Sequence, residues 1–148
     1  MTGFNHGLTG AVIALTVKRP ELALPLSLVS HYLTDLVPHF GFKQKDVFSK
    51  RFNLFIKFDL SFALLMMAIL AILFSSHILI IWSCMILAAA PDSVWWLYRK
   101  SARKWPMGLD RFHALQFKTN PIVHVQHFYY DATWFALMWA IILIIKFS

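Results

Sequence analysis

The run Ser30-His31-Tyr32-Leu33-Thr34-Asp35-Leu36-Val37-Pro38-His39 concentrates two imidazoles and a carboxylate at helical spacing. His31 and Asp35 are i and i+4, which puts them on one helix face about one turn apart. His39 continues the row by a further turn, and Pro38 is expected to end or bend the helix there. Imidazole and carboxylate without thiolate suit zinc or another first-row divalent ion. His6 (in Asn5-His6-Gly7), Asp59 and Asp92 (in Pro91-Asp92) extend this chemistry along the chain. His124 and His127 are i and i+3 and share a face with Asp131. The expected metal ligands are His6, His31, Asp35, His39, Asp59 and Asp92, with His124, His127 and Asp131 as further candidates. Two or more carboxylates favour a pair of ions, so the expected cofactor is one or two divalent ions, with zinc first. The single cysteine, Cys84, excludes an internal disulfide framework and any multi-cysteine metal site. Asp59 has a second reading, since an acidic residue in a first turn also favours the helix dipole.

The elements that must hold these residues are apolar. Of 148 residues, 59% are apolar and 14% charged, with a mean hydropathy of +0.61. Soluble domains carry about 25% charged residues. The composition argues against a soluble, a disordered or a nucleic-acid-binding chain, despite the net charge of +7. The expected fold is all-α: one polytopic membrane domain over 1–148, with helices at about 6–17, 21–40, 58–74, 78–98 and 121–145. The first is short, and is expected to be a tilted span or a re-entrant helix. Ser75-Ser76-His77 is the polar turn of a helical hairpin, and Asn120-Pro121 is a good helix start.

Basic residues set the expected orientation. Lys43, Lys45, Lys50, Arg51 and Lys57 fall in the interval 41–57, and Arg99, Lys100, Arg103, Lys104, Arg111 and Lys118 in 99–120. The positive-inside rule puts both intervals in the cytoplasm, with the N-terminus inside and the Ser75 turn outside. Lys18 and Arg19 are the discordant pair. With this topology the His and Asp candidates all approach the cytoplasmic leaflet. Ionisable groups in membrane helices are costly and point to function. Trp95, Trp96, Tyr98, Trp105, Tyr129, Tyr130 and Trp134 read as an interfacial aromatic belt. His113 reads as a loop or headgroup residue.

His31-Tyr32-Leu33-Thr34-Asp35 with the following Pro38-His39 resembles the signature of the bacterial zinc-dependent phospholipase C and nuclease superfamily. Asn5-His6-Gly7 and Pro91-Asp92 extend the likeness to small bacterial membrane-bound metal-dependent hydrolases. The resemblance implies an all-helical zinc site that hydrolyses phosphoesters. It implies His6 and His31 as ligands and Asp35 as a ligand or bridging ligand at the catalytic centre. The chain lacks the additional His and Glu residues of a trinuclear phospholipase site, in keeping with one or two ions.

The expected function is therefore a metal-dependent hydrolase of the bacterial inner membrane. Its partners would be membrane lipids, with a lipid or amphiphile phosphoester as substrate and no nucleic acid. Asp59 or an adjacent histidine would act as general base. The alternatives are a metal or proton transport component, which needs a polar path to the other face, and a non-catalytic membrane protein whose polar groups join helices.

Overall fold

The computed structural model describes residues 1–42, 49–93 and 127–148. These form five α-helices and no β-strand: α1 Gly3–Val17, α2 Pro20–Thr34, α3 Lys50–Leu73, α4 Ile78–Ala89 and α5 Phe128–Phe147. A 3-10 turn, Ser75–His77, joins α3 to α4, and a second, Ala90–Ser93, follows α4.

Among the described residues, three helical stretches are long and apolar enough to cross a membrane: Lys50–Leu73, Ser75–Ser93 and Phe128–Phe147. At 1.5 Å per residue, α3 is about 36 Å long and α5 about 30 Å, against a hydrocarbon core of ~30 Å. The outer faces of these helices stay apolar, with Leu54, Leu60, Leu64, Ile72, Leu79 and Ile144 all exposed. α1 and α2 have fifteen residues each, or about 22 Å.

The shortness of α1 follows from its end. Lys18 caps it in the left-handed region (φ 56°), its N–H bonded to Ala14 O, and Pro20 then opens α2 at its first position. α1 is the central helix, and it packs against each of the other four. Its residues Phe4 to Ala11 are all buried, Asn5, His6 and Thr9 among them. A helix surrounded by protein can carry polar side chains that a lipid-facing helix cannot, because neighbouring helices satisfy them. Trp134 of α5 donates its Nε1–H to Thr9 Oγ1, 3.0 Å away, in one such pairing.

Close packing of α1 on α4 depends on glycine. A Cβ at Gly10 would overlap the Cys84 carbonyl, and one at Gly7 would meet the Met85 side chain at 3.5 Å. The apolar core is built from Leu8, Ala11, Ala14 and Leu15 of α1, Met66 and Leu70 of α3, Ile81 and Met85 of α4, and Met138 and Ile142 of α5. At the end of the bundle near residue 74, Lys146 Nζ donates to Leu73 O at 2.6 Å and lies over the Phe74 ring. That places a cation at the C-terminus of α3, where the helix dipole favours it.

Several expected boundaries move. α2 stops at Thr34 with Asp35 as its cap, so Leu36–His39 are not helical as expected. Pro38 disfavours the α region at Val37 and prevents continuation. α3 begins at Lys50, where Ser49 Oγ accepts the Phe52 N–H, well before residue 58. Lys50, Arg51 and Lys57 therefore lie on a helix rather than in a loop, and Asp59 is inside α3 rather than at its start. The α-helix of α4 ends at Ala89, and the chain tightens into a 3-10 turn at Pro91, whose ring nitrogen has no N–H to donate. The expected start of the last helix at Asn120-Pro121, the basic residues of 99–120, Lys43, Lys45, Trp95, Trp96, Tyr98, Trp105, His113 and His124 lie outside the described residues.

Candidate metal centre

Two helices bring His6, His31 and Asp35 together at one end of the bundle. His6 stands in the first turn of α1, His31 in the last turn of α2, and Asp35 caps α2. All three are buried, and one ligand atom from each can be chosen so that all lie within 4.8 Å of one another. His6 Nε2 is 3.2 Å from Asp35 Oδ1, and His31 Nε2 is 3.5 Å from Asp35 Oδ2. The two imidazoles stack, with ring centroids 4.0 Å apart.

Hydrogen bonds on the far side of each ring decide which nitrogen faces the carboxylate. His31 Nδ1 is 2.8 Å from the Ala88 carbonyl of α4, a group that can only accept, so Nδ1 carries the proton. His6 Nδ1 is 3.0 Å from Thr34 Oγ1. The Thr34 hydroxyl has one proton, and Ser30 O and His31 O, 2.9 and 3.0 Å away, are its acceptors. With the hydroxyl proton on one of those carbonyls, its oxygen is open to accept from His6 Nδ1–H. In that arrangement the two rings, when neutral, turn an Nε2 lone pair inward, and His6 Nε2 makes no hydrogen bond among the described residues. His39 repeats the arrangement, with Nδ1 2.7 Å from Val37 O and Nε2 3.9 Å from Asp35 Oδ1.

Inward lone pairs beside a carboxylate repel one another in a low-dielectric interior unless a cation lies between them. The Met1 ammonium lies 2.7 Å from Asp35 Oδ1. Metal-ligating histidines characteristically donate their other N–H to a carbonyl, carboxylate or hydroxyl, which fixes tautomer and orientation. The buried His6, His31 and Asp35 group could hold a metal ion.

The remaining candidates separate. Asp92, in the 3-10 turn after α4, brings Oδ1 to 3.8 Å from His31 Nε2, and its side chain is 37% exposed. His39 stands beside Asp35 but off the helix. Asp59 and Asp131 do other work. Asp59 Oδ2 and Oδ1 accept the N–H groups of Gly3 and Phe4 at 2.9 and 3.0 Å. Asp131 Oδ1 accepts the Thr2 N–H at 3.0 Å. The first N–H groups of a helix have no partner within it. Thr2, at the N-cap position, makes no side-chain cap, so carboxylates of α3 and α5 supply what α1 lacks. His127, the N-cap of α5, packs edge-on to the rings of Tyr129 and Tyr130.

Thr34 and the Ala88 carbonyl were not among the expected site residues. Thr34 lies inside the motif, so its proximity to Asp35 was visible. Its pairing with His6, 28 positions earlier, depends on the α1–α2 packing and left no local signal. No family model, curated protein or solved structure matches this chain.

Proposed function

We propose that the chain is a membrane-integrated, metal-dependent hydrolase acting on a phosphoester of a lipid or amphiphile. The observation that carries this reading is the convergence of His6 Nε2 and His31 Nε2 on the Asp35 carboxylate, at 3.2 and 3.5 Å. Two buried Nε2 lone pairs converge on one carboxylate, each fixed from behind by a hydrogen bond.

His6, His31 and Asp35 hold the ion, and zinc fits this donor set best. When bound, a divalent ion supplies a Lewis acid that polarises a phosphoryl oxygen. Thr34 and Ala88 keep both imidazoles in register with the carboxylate. Asp92 is the more exposed carboxylate beside the group and is placed to accept a proton from an attacking water. Asp59, with both oxygens taken by α1 N–H groups, holds the scaffold. The apolar outer faces of α3 and α5 support a place for the group within a bilayer. Lys50, Arg51 and Lys57, exposed on the part of α3 before Asp59, would attract an anionic headgroup at the cytoplasmic leaflet of a bacterial inner membrane.

Elemental analysis of protein purified without chelators tests the reading, with His31→Ala and Asp35→Ala as controls. Zinc near stoichiometric in the parent and absent from both variants is expected. Release of phosphate or headgroup from vesicles of defined phospholipids then tests the substrate. A parent protein free of divalent metal would overturn the proposal.

A further inference from the structure

Asp131 is 1% exposed in the first turn of α5, and among the described residues the hydrogen bonds it accepts from outside its own helix all come from segments carrying a site histidine. Its Oδ1 accepts from Thr2 N–H and from Asn5 Nδ2, at 3.0 and 3.2 Å. Its backbone oxygen accepts from the same Asn5 amide at 2.9 Å. Its Oδ2 accepts the Phe40 N–H at 2.6 Å. Asn5 precedes His6, and Phe40 follows His39. One carboxylate on a late helix therefore grips the chain beside the α1 histidine with one oxygen, and beside the histidine after α2 with the other.

We propose that Asp131 is a positioning residue for the His–Asp group: it ties the start of α1 to the segment after α2 and so sets where His6 and His39 stand relative to Asp35. The segment from Leu36 to Phe42 has no helix to hold it, and its Phe40 N–H bond to Asp131 fixes the turn that carries His39. The Phe40 ring completes the anchor by packing on Phe55 of α3 and, edge-on, on Phe128 of α5. A buried carboxylate suits this task because it accepts from several donors at once, and each such bond is charge-assisted. An amide cannot replace it. The side chain introduced by Asp131→Asn would present its NH2 to one of the two groups of donors. The better-satisfied orientation keeps its oxygen on Thr2 and Asn5 and turns the NH2 against the Phe40 N–H.

The two ends can be tested separately. Asp131→Asn is expected to release Phe40 and His39, and Asn5→Ala to loosen His6 while leaving the Phe40 bond intact. This inference rests on the metal-centre reading for its cobalt readout, so a second readout is independent of metal. Full-length protein labelled with 15N-histidine and held in lipid nanodiscs reports the tautomer of each ring from its nitrogen signals. Asp131→Asn should move the His39 ring away from the Nδ1–H form, and Asn5→Ala should move His6. Outer-sphere changes of this kind cost ~10–100-fold in metal affinity, so Co²⁺ titration should weaken by that factor in Asn5→Ala, which loosens the ligand His6. A purely structural Asp131 would lower the unfolding temperature while leaving both readouts of the folded variants at parent values, and that result overturns the proposal. If Asp131→Asn does not fold, the His6 signals of Asn5→Ala decide. If the parent takes up no Co²⁺, the metal reading fails and the ring-nitrogen spectra alone decide this one.

Discussion

His6 and His31 face each other across a ring separation of 4.0 Å and offer the same nitrogen, Nε2, to the carboxylate of Asp35. The proton on the opposite nitrogen is held by Thr34 in one case and by the Ala88 carbonyl in the other. The most direct predictions concern what disturbs that pairing.

Asp35→Asn removes the charge on which the imidazoles converge but keeps the side chain's shape. Metal affinity should fall by more than the ~10–100-fold that loss of an outer-sphere partner costs. Isothermal titration of metal-stripped protein with Zn²⁺ checks this. Parent-like binding would remove Asp35 from the centre.

Thr34→Val deletes the oxygen that receives His6 Nδ1–H at 3.0 Å and leaves that buried donor unmatched. The cost to stability is about 1–3 kcal/mol. Metal affinity should drop ~10–100-fold, because the ring loses its fixed tautomer. Thr34→Ser restores the oxygen and should recover most of the affinity. Equal affinities in the valine and serine variants would contradict the role given to the hydroxyl.

Asp59→Ala uncaps α1 by taking both acceptors from Gly3 and Phe4. Removal of a helix cap costs ~0.5–2 kcal/mol, and two bonds to one residue place this variant near the upper end. Unfolding in mixed detergent micelles, followed by circular dichroism, measures it. If the proposed hydrolysis is found, its pH dependence in the surviving folded variant should keep the parent shape, whereas loss of a general base would remove one limb of the profile.

Gly10→Ala pushes a methyl group into the Cys84 carbonyl and forces α1 away from α4. Overpacking of this kind costs ~1–3 kcal/mol. The same unfolding assay should show a clear loss at Gly10 and a smaller one for Gly7→Ala, whose new methyl would meet the flexible Met85 side chain at 3.5 Å.

What is legible in the sequence is local. His31 and Asp35 meet because four residues make about one helical turn, and a reader of the sequence can count that far. The apolar stretches around Leu60, Ile80 and Ile142 read as helices for the same reason. The parts that mislead are long-range or depend on a single stop signal. Asp59 looks like a group starting its own helix, but it caps one 56 positions earlier, and neither end carries a mark of the other. Asp131 looks like a neighbour of His127, yet its partners are Thr2, Asn5 and Phe40. α1 looks marginal because it is short. Its central place comes from four helices packing around it, and hydropathy along a chain does not encode neighbours. Apolar residues continue past Thr34 and suggest a longer α2, while the restriction that Pro38 places on Val37 ends the helix regardless of hydropathy.

The grip of later helices on the start of α1 has a consequence for the order of assembly. Thr2 leaves the ribosome well before the carboxylate that receives its N–H, which is 129 positions behind. Until α3 arrives, Gly3 and Phe4 lack the acceptors that Asp59 gives them, and until α5 arrives, Thr2 and Asn5 lack those of Asp131. The start of α1 is thus made early and locked late, and His6 with it. A truncated or stalled chain would carry His31 and Asp35 but hold His6 only loosely, so a competent centre can form only after translation has passed residue 131.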